Sequence, residues 1–363
     1  MNILIDIGHP GHIHLLKNLY FQLSKKGHKI FVTVKNIKIQ KELLEKYNIP
    51  YIVLGNKKDS LIGKAFSQIS YNLKVLRLVK KHNIEFGIGT SMTLAHVSKL
   101  SKMKSILLDD DDDNAQELFV KYAHPFCDAL LTPLALKENR KSSKSIFYDS
   151  YHELAYLHPK YFKPNSQVLE ELGVDKKETF FIMRFNVFKA HHDVGINGLS
   201  LEQKLQLVNV LKPYGKIFIT TERDIEPELK EYQLAVSPEK IHSLMYYMTM
   251  FLGDSQTMTS EASVLGVPAL KFNSFAGKLS IPNELEDRYG LCYAYGPDSF
   301  EEYISKVKDI LAKENIKDIW KRKKEVLLNE KINTTDFLVW FVENYPQSHN
   351  ILKETPDYMS RFR

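Results

Sequence analysis

The stretch Phe251-Leu-Gly-Asp-Ser-Gln-Thr-Met-Thr-Ser-Glu-Ala-Ser-Val-Leu-Gly-Val-Pro-Ala-Leu270 contains a short apolar strand, a polar turn, a helix and a second apolar strand. The helix ends abruptly at Gly266-Val-Pro268, and such a βαβ unit is typical of a parallel sheet. The polar turn places hydroxyls and unpaired backbone N–H groups at the helix start, where the helix dipole favours a bound anion. We therefore predict a diphosphate site there, formed by Asp254, Ser255, Gln256 and Thr257.

The same alternation of strands and helices occurs twice along the 363 residues. It extends from Ile3–Ile7 to Ala129–Thr132 and, after a Pro- and aromatic-containing connector at residues 156–164, from Thr179–Met183 to Ala269–Phe272. We expect two Rossmann-like α/β domains with parallel sheets facing a central cleft. The first covers residues 1–160 and the second covers residues 161–335.

The composition is that of a soluble globular protein, with 44% apolar and 26% charged residues. No apolar run approaches the roughly 20 residues that a bilayer span needs, and no export signal precedes the first strand. Cys127 and Cys292 lack the spacing of a metal or redox pair, so we expect two free thiols. These features together predict a cytoplasmic protein.

Positive charge is concentrated in the first half of the chain. Residues 1–165 carry 25 Lys and Arg against 15 Asp and Glu, a net +10, whereas residues 166–363 carry 25 against 29, a net −4. A solvated lysine-rich surface and attraction to an anionic membrane or a phosphate-bearing acceptor both remain open. The basic helical stretch Leu61–His82 leaves the same choice between packing on the sheet and peripheral membrane contact. Nucleic acid is not predicted, because no binding motif accompanies the charge.

Three histidines lie in the loop Gly8-His-Pro-Gly-His-Ile-His14, which joins the first strand to the first helix. Gly8 and Gly11 permit close backbone approach at the carboxyl end of a strand, where open α/β sheets bind their ligands. We therefore predict ligand contacts from Gly8, His9, Gly11 and His14. The histidines have no carboxylate or cysteine partner at helical ligand spacing, so no metal site is predicted here.

Two further segments carry charged candidates. Arg184 is expected at the carboxyl end of a strand, where it would neutralise a diphosphate or form a surface ion pair, and His192 and Asp193 follow as candidate cleft residues. The acidic run Asp109–Asp113 must be well solvated, bound to cations or close to a basic partner, because its carboxylates repel one another. Within it Asp110 is a candidate base or acceptor contact, and a capped, solvated loop is the alternative.

These motifs resemble the GT-B superfamily, particularly the UDP-N-acetylglucosamine 2-epimerases and the glycosyltransferase that makes lipid II, and nearly the whole chain looks like an uncharacterised GT-B-like family. The serine turn followed by Glu, Gly and Pro implies that Ser255 contacts phosphate and Glu261 the ribose. The Gly-His loop implies that His12 is the base that activates the acceptor, a role that suits an imidazole. The chain departs from the epimerases, which usually have Ser-Gly-Gly where it has Ser255-Gln256-Thr257.

The resemblance favours a metal-independent glycosyltransferase without a cofactor. Its donor would be a nucleoside-diphosphate sugar, with a UDP-sugar favoured, and its acceptor a polysaccharide, a lipid-linked sugar or a glycoconjugate. Arg184 would offset charge on the departing diphosphate, and Asp110 is a second catalytic candidate besides His12. By the same likeness, the C-terminal helical segment at 336–363 would pack back on the first domain. Two alternatives stay open: a UDP-sugar 2-epimerase or nucleotide-sugar hydrolase on the same fold, and a non-catalytic subunit that binds sugar nucleotides or polymers.

Overall fold

A computed structural model of the protein describes residues 1–56, 60–185, 198–221 and 224–363, without the side chains of Leu61 and Ile62. The chain forms two compact units. Unit 1 comprises residues 1–161 together with residues 331–363, and unit 2 comprises residues 162–330. Each unit is built around its own parallel sheet.

Unit 1 alternates strands and helices from its first residues. Its strands and helices are β1 (Asn2–Ile7), α1 (Pro10–Lys25), β2 (Lys29–Lys35), α2 (Lys38–Lys46), β3 (Ile52–Gly55), α3 (Leu61–His82), β4 (Phe86–Gly89), α4 (Met92–Lys99), β5 (Lys104–Leu108), α5 (Glu117–Tyr122), β6 (Ala129–Pro133), β7 (Ser145–Tyr148) and α6 (Leu154–Leu157). The seven strands pair in parallel in the order β3-β2-β1-β4-β5-β6-β7. The order reverses between β1 and β4, where a ligand crevice is expected in an open α/β sheet.

The C-terminal segment of unit 1 adds α14 (Thr334–Glu343), α15 (Gln347–Glu354) and a 3-10 helix at Pro356–Phe362. Helix α14 packs on α1 and α6. The Thr335 hydroxyl donates to the Ala155 carbonyl at 2.7 Å, and Glu343 accepts from Lys26 at 2.6 Å. Its apolar residues Phe337 and Phe341 are fully buried, so this segment completes the core of unit 1.

Unit 2 is a second, smaller α/β unit. Its strands and helices are α7 (Gln167–Glu171), β8 (Phe180–Phe185), α8 (Leu201–Leu211), β9 (Lys216–Thr221), α9 (Ile241–Tyr247), β10 (Met250–Gly253), α10 (Gln256–Leu265), β11 (Ala269–Phe272), α11 (Ser280–Asp287), β12 (Cys292–Tyr295), α12 (Phe300–Leu311) and α13 (Ile316–Glu330). The strands are parallel in the order β12-β11-β10-β8-β9. The reversal here lies between β10 and β8.

Several helix boundaries differ from those that the sequence pattern predicts, which are a helix from about Ile13, one from Asn114, one over residues 237–248 and one from Thr259; α1 begins at Pro10. Helix α10 begins at Gln256 rather than near Thr259, because the Ser255 hydroxyl caps the backbone N–H of Met258. The helix expected over 237–248 is divided, since Pro238 starts a separate 3-10 turn before α9. Helix α5 begins at Glu117, three residues later than expected. The edge strands β7 and β12 were not predicted, because they are only partly buried and lack the aliphatic run that marks a strand buried on both faces.

Two further expectations can be compared with the described part of the chain. Cys127 and Cys292 are both buried free thiols, as predicted. Among the described residues, no helix combines the length and apolar character needed to cross a bilayer.

Candidate functional site

Both sheets have a glycine with a positive φ angle at the point where their strand order reverses. Gly89 ends β4 with φ 156°, and Gly253 ends β10 with φ 144°. A Cβ at residue 89 would lie 2.2 Å from the Asp6 carbonyl oxygen, and one at residue 253 would lie 2.1 Å from that of Arg184. Only glycine fits this close approach of neighbouring strands, so each glycine turns the chain into the helix that follows.

In unit 1 this turn lies over a buried carboxylate. Asp6 is 3% exposed; it accepts a hydrogen bond from Thr33 Oγ1 at 2.6 Å and another from Ser91 Oγ. Burial raises the pKa of Asp6, although both hydrogen bonds act in the opposite direction. Ser91 also caps α4 by accepting from the backbone N–H of Thr93 at 3.2 Å. Sequence analysis missed Asp6, Ser91 and Thr90, although Gly89-Thr90-Ser91 repeats the Gly-x-Ser pattern of residues 253–255.

The histidine loop follows β1 at the same edge. His9 is the N-cap of α1, and its Nδ1 accepts from the Gly11 N–H at 3.2 Å. His12 lies in the first turn, where its Nδ1 hydrogen-bonds to Thr90 Oγ1 and its ring lies 5.7 Å from that of His9. A Cβ at Gly8 would approach His12 Nδ1 to 3.7 Å, so Gly8 leaves room beside this ring.

Burial, followed by the nearby His9, lowers the pKa of His12 to about 3, and the Asp110 carboxylate acts in the opposite direction. The imidazole is therefore neutral at neutral pH and keeps a lone pair. Its proton affinity depends on the charge balance between Asp110 and His152.

Asp110 forms an ion pair with His152, a residue that sequence analysis did not single out. The distance between His152 Nδ1 and Asp110 Oδ2 is 2.9 Å. Burial acts against the charged form of each partner, but their mutual attraction outweighs it, so the pKa of Asp110 is lowered and that of His152 is raised. His152 Nε2 is buried and has no hydrogen-bond partner among the described residues. His12 thus lies close to an imidazolium–carboxylate pair.

Two other carboxylates of the acidic run, those of Asp109 and Asp113, are neutralised from within unit 1. The buried Arg140 guanidinium contacts Asp109 Oδ2 at 2.8 Å and Asp113 Oδ1 at 2.6 Å, and it donates to two backbone carbonyls of the run. Asp109 also contacts His124 Nε2 at 2.8 Å. Of the three explanations offered by the sequence, a basic partner within the protein applies to Asp109, Asp110 and Asp113, whereas Asp111 is exposed to solvent.

Carboxylate oxygens of Asp109, Asp110 and Asp111 lie within 4.8 Å of one another, a spacing that suits a cation. Burial and the charges of Asp110 and Asp109 raise the pKa of Asp111 to about 7. Asp109 and Asp110 are nevertheless already ion-paired with protein cations, which offsets the mutual repulsion of this group.

His14 lies further along α1 and is largely buried. Its Nδ1 lies 3.3 Å from the Tyr47 hydroxyl, and its ring is 5.6 Å from that of Tyr156. This residue therefore packs between aromatic side chains of unit 1, and its predicted ligand contact stays a prediction.

In unit 2 the corresponding turn lies between two strands that carry cations near their ends, Arg184 on β8 and Lys271 on β11. Ser255 is the N-cap of α10, while Gln256 and the exposed Thr257 form its first turn. Asp254 is buried; its backbone N–H donates to the Arg184 carbonyl at 3.1 Å, and its carbonyl accepts from Asn273 at 2.9 Å. The start of α10 is therefore fixed from both neighbouring strands.

Lys271 is the most unusual residue at this edge and was missed by sequence analysis. It lies on β11, is 1% exposed, and its Nζ donates to the side-chain oxygen of Gln256. Burial lowers the pKa of Lys271 to about 8. A lysine at the carboxyl end of a buried strand was the available signal, since lysine is almost never buried without a partner.

Arg184 lies at the end of β8, in register with Gly253, and its Nη1 donates to Thr220 Oγ1 at 3.0 Å. This position agrees with the strand end expected from the sequence. His192 and Asp193 lie outside the described residues.

Glu261 is buried in α10, and its Oε1 lies 2.9 Å from His242 Nε2. The histidine comes from α9 and was not predicted as a partner. Ribose binding by this carboxylate would therefore involve the Glu261–His242 pair, not a free acid.

Comparisons with known proteins agree with this architecture. An uncharacterised protein of Methanocaldococcus jannaschii, MJ0665, is 22% identical over 295 residues, which are 74% of this chain and 81% of that protein. A UDP-GlcNAc 2-epimerase from Neisseria meningitidis, solved with UDP-GlcNAc, is similar with a TM-score of 0.64 at 13% identity, over 95% of this chain and 100% of that one. A glycosyltransferase from Rickettsia africae gives a TM-score of 0.59 at 13% identity, over 98% and 99%.

The predicted GT-B fold is confirmed by these similarities and by the two parallel sheets of seven and five strands. At such low identity they establish the fold, not the reaction. Residues 1–286 match the family described as "Protein of unknown function (DUF354)". The chain therefore belongs to the DUF354 family.

Proposed function

We propose that the chain is a glycosyltransferase that moves a sugar from a nucleoside-diphosphate donor, a UDP-sugar in the first instance, to a polysaccharide, lipid-linked or glycoconjugate acceptor. The observation that carries the proposal is the edge of unit 2, where the N-terminus of α10 begins between Arg184 and the buried Lys271. Unpaired N–H groups and two cations together suit a diphosphate.

The unit 2 edge would hold the donor and stabilise the leaving group. Backbone N–H groups near Ser255 and the side chains of Gln256 and Thr257 would contact the diphosphate, with Asp254 shaping the turn. Arg184 and Lys271 would offset the charge that develops as the glycosidic bond to the diphosphate breaks, so no divalent metal is required for that step. Glu261, positioned by His242, would accept hydrogen bonds from the ribose.

Unit 1 would bind and activate the acceptor. His12 is proposed as the base that takes the proton from the acceptor hydroxyl, with Gly8, His9 and Gly11 shaping its surroundings. The Asp110 carboxylate already opposes the burial that lowers the pKa of His12 to about 3, and it would stabilise the imidazolium that forms when His12 takes the proton. We further propose that the reaction takes place in the cytoplasm, where nucleotide sugars would be the donors.

Binding of nucleotides to the unit 2 edge tests the first half of the proposal. We expect UDP and UDP-GlcNAc to bind the full chain in calorimetry, and Lys271→Met or Ser255→Ala to weaken both. Lys278→Met, at an exposed lysine of the same unit, is the matched control and should leave binding unchanged. If no nucleoside diphosphate binds, or if the control weakens binding as much as Lys271→Met, the proposed donor site is wrong.

A UDP-sugar 2-epimerase or hydrolase is the second candidate. It is favoured by the proximity of His12 to the Asp110–His152 pair, because proton removal and return at a sugar carbon need two acid–base groups. Incubation with UDP-GlcNAc alone separates the candidates. Release of free sugar or of an epimer without any acceptor would favour the second, whereas turnover only with a glycan acceptor would favour the first.

A further inference from the structure

Helix α3 has apolar side chains on two faces. Its inner face contributes Tyr71, Val75 and Val79 to the core of unit 1. Its outer face presents Phe66, Ile69 and Leu73, whose exposed fractions are 69%, 56% and 47%. The spacing of three and four residues places these three side chains in one stripe along consecutive turns. Core packing therefore accounts for the apolar residues on the inner face of α3 but not for those on its outer face.

A second group of exposed apolar residues lies on the neighbouring segment. His96 of α4 connects the two segments, since its Nδ1 lies 3.1 Å from Asn72 Nδ2 of α3 and its Nε2 lies 2.7 Å from the Tyr122 carbonyl oxygen. The exposed residues beyond it are Leu118, Tyr122 and Phe126. Single exposed apolar residues are normal in soluble proteins, whereas grouped ones mark an interaction site.

The charge on α3 itself has one sign, although Glu85 and Asp128 lie near the C-terminal end of the helix. Helix α3 contains no Asp or Glu over its 22 residues. Its cationic side chains are Lys64, Lys74, Arg77, Lys80 and Lys81. Beyond the C-terminal end of α3 lies a groove of about 930 Å³, which is lined by further lysines and by Leu100, 61% exposed. Asp128 lies within 4 Å of two of those groove lysines, Lys99 and Lys104.

We propose that the α3 surface, defined as Phe66, Ile69 and Leu73 with the cations of α3, docks unit 1 on an anionic lipid bilayer. Apolar side chains would enter the bilayer interface, and Lys and Arg side chains would contact lipid phosphates. The two contributions together bind a membrane more tightly than either does alone. A second copy of the chain fits less well, because pairing two α3 helices would oppose cations with cations. A nucleic acid would use the cations but not Ile69 or Leu73, which cannot stack on bases.

Sedimentation with lipid vesicles tests this proposal on the full chain. We expect binding to vesicles of 40% phosphatidylglycerol and 60% phosphatidylcholine, little binding to pure phosphatidylcholine, and loss of binding at high salt. The variant Phe66→Ser/Ile69→Ser/Leu73→Ser should lower the partition coefficient at least about tenfold. Replacing Lys80 or Lys81 by Gln should lower it roughly fivefold per charge.

The matched control replaces exposed apolar residues of unit 2, in the variant Tyr214→Ser/Val326→Ser, which should bind vesicles like the parent. Equal binding to both vesicle types, or an equal loss in the control, would overturn the proposal. So would light scattering that shows a dimer converted to monomer by the triple serine variant, or preferential binding to DNA. UDP binding, measured on the same samples, reports separately on the donor site and on folding.

Discussion

The turn after β4 in unit 1 and the turn after β10 in unit 2 have the same backbone geometry but lie beside different charges. In unit 1, Gly89-Thr90-Ser91 ends β4 and caps α4; in unit 2, Gly253-Asp254-Ser255 ends β10 and caps α10. Both glycines have positive φ values and lie against the neighbouring strand, on Asp6 and Arg184 respectively. The local geometry is therefore shared, while the charge beneath each turn is opposite.

We infer from this comparison that a helix start binds an anion only where the surrounding charges favour one. In unit 1, Ser91 donates to the Asp6 carboxylate, so the turn already faces a negative group. In unit 2, the turn lies between Arg184 and Lys271, both of which favour a bound phosphate. We therefore expect diphosphates to bind at the unit 2 turn and not at the unit 1 turn.

The largest expected effect is on the free energy of unfolding and concerns the buried ion pairs of Arg140 in unit 1. Arg140→Met should lower the free energy of unfolding by about 4 kcal/mol, because it leaves the buried carboxylates of Asp109 and Asp113 without their cation. Lys160→Met removes the exposed ion pair with Asp336 and should cost less than about 1 kcal/mol. Urea unfolding measures both. Similar losses of unfolding free energy in the two variants would show that Arg140 does not neutralise the acidic run.

The shared glycines should give the next largest effect. Gly253→Ala and Gly89→Ala should each cost about 3 kcal/mol, since the added methyl group meets a carbonyl oxygen. Gly27→Ala and Gly173→Ala also have positive φ values but open surroundings, and should cost about 1 kcal/mol. If all four variants unfold at the same urea concentration, the close approach of strands does not matter.

A smaller effect is expected on nucleotide affinity. Lys271→Met should weaken UDP binding roughly 30-fold, equivalent to about 2 kcal/mol for a lost charged hydrogen bond. In the parent protein, affinity should fall as the pH rises above the pKa of Lys271, about 8, because the neutral amine no longer attracts phosphate. The variant should lack this pH dependence. Calorimetry between pH 7 and 9.5 would contradict the assignment if both proteins behaved alike.

Lys271 also makes a prediction about stability. Because its folded pKa is below the unfolded value of 10.5, the unfolded state binds more protons between about pH 8 and 10.5, and stability should rise with pH in this window. The parent should therefore gain stability relative to Lys271→Met as the pH increases. A constant difference between the two over this range would show that Lys271 is not perturbed.

The smallest effect concerns the Asp110–His152 pair. Asp110→Asn should cost about 1 kcal/mol between the unfolded pKa values of 3.8 and 6.5, where both charges are present. The stabilisation from His152 is lost as the pH rises through its raised pKa, and that from Asp110 is lost as the pH falls through its lowered pKa. NMR titration should show a lower pKa for His152 in Asp110→Asn; an unchanged value would contradict the coupling.

The fold could be predicted because it follows from local pattern. Apolar runs alternate with helical segments along both halves of the chain, and the Ser255 turn with Gly266 and Pro268 marks one βαβ unit clearly. The edge strands β7 and β12 could not be predicted, because each is only partly buried and its sequence lacks the aliphatic run of a central strand.

The sequence offered site candidates where one segment carries its own chemistry, as in the histidine loop and the Ser255 turn, and these assignments stay predictions. Its partners were missed because they come from distant segments: His152 lies 42 positions after Asp110 in the sequence, and Lys271 lies 15 positions after Gln256. The acidic run illustrates the same limit. Its repulsion was evident from the sequence, but the cation that offsets it, Arg140, belongs to another segment.

The division of the chain also has a consequence for biosynthesis. Unit 2 is a continuous insertion, residues 162–330, while unit 1 is completed by residues 331–363. A ribosome would therefore release all of unit 2 before it supplied α14, whose Phe337 and Phe341 fill the core of unit 1. Until then, the apolar surface of α1 that α14 covers would stay open to chaperones. The synthesis of unit 1 therefore begins first, but its core is completed only after unit 2 has been made.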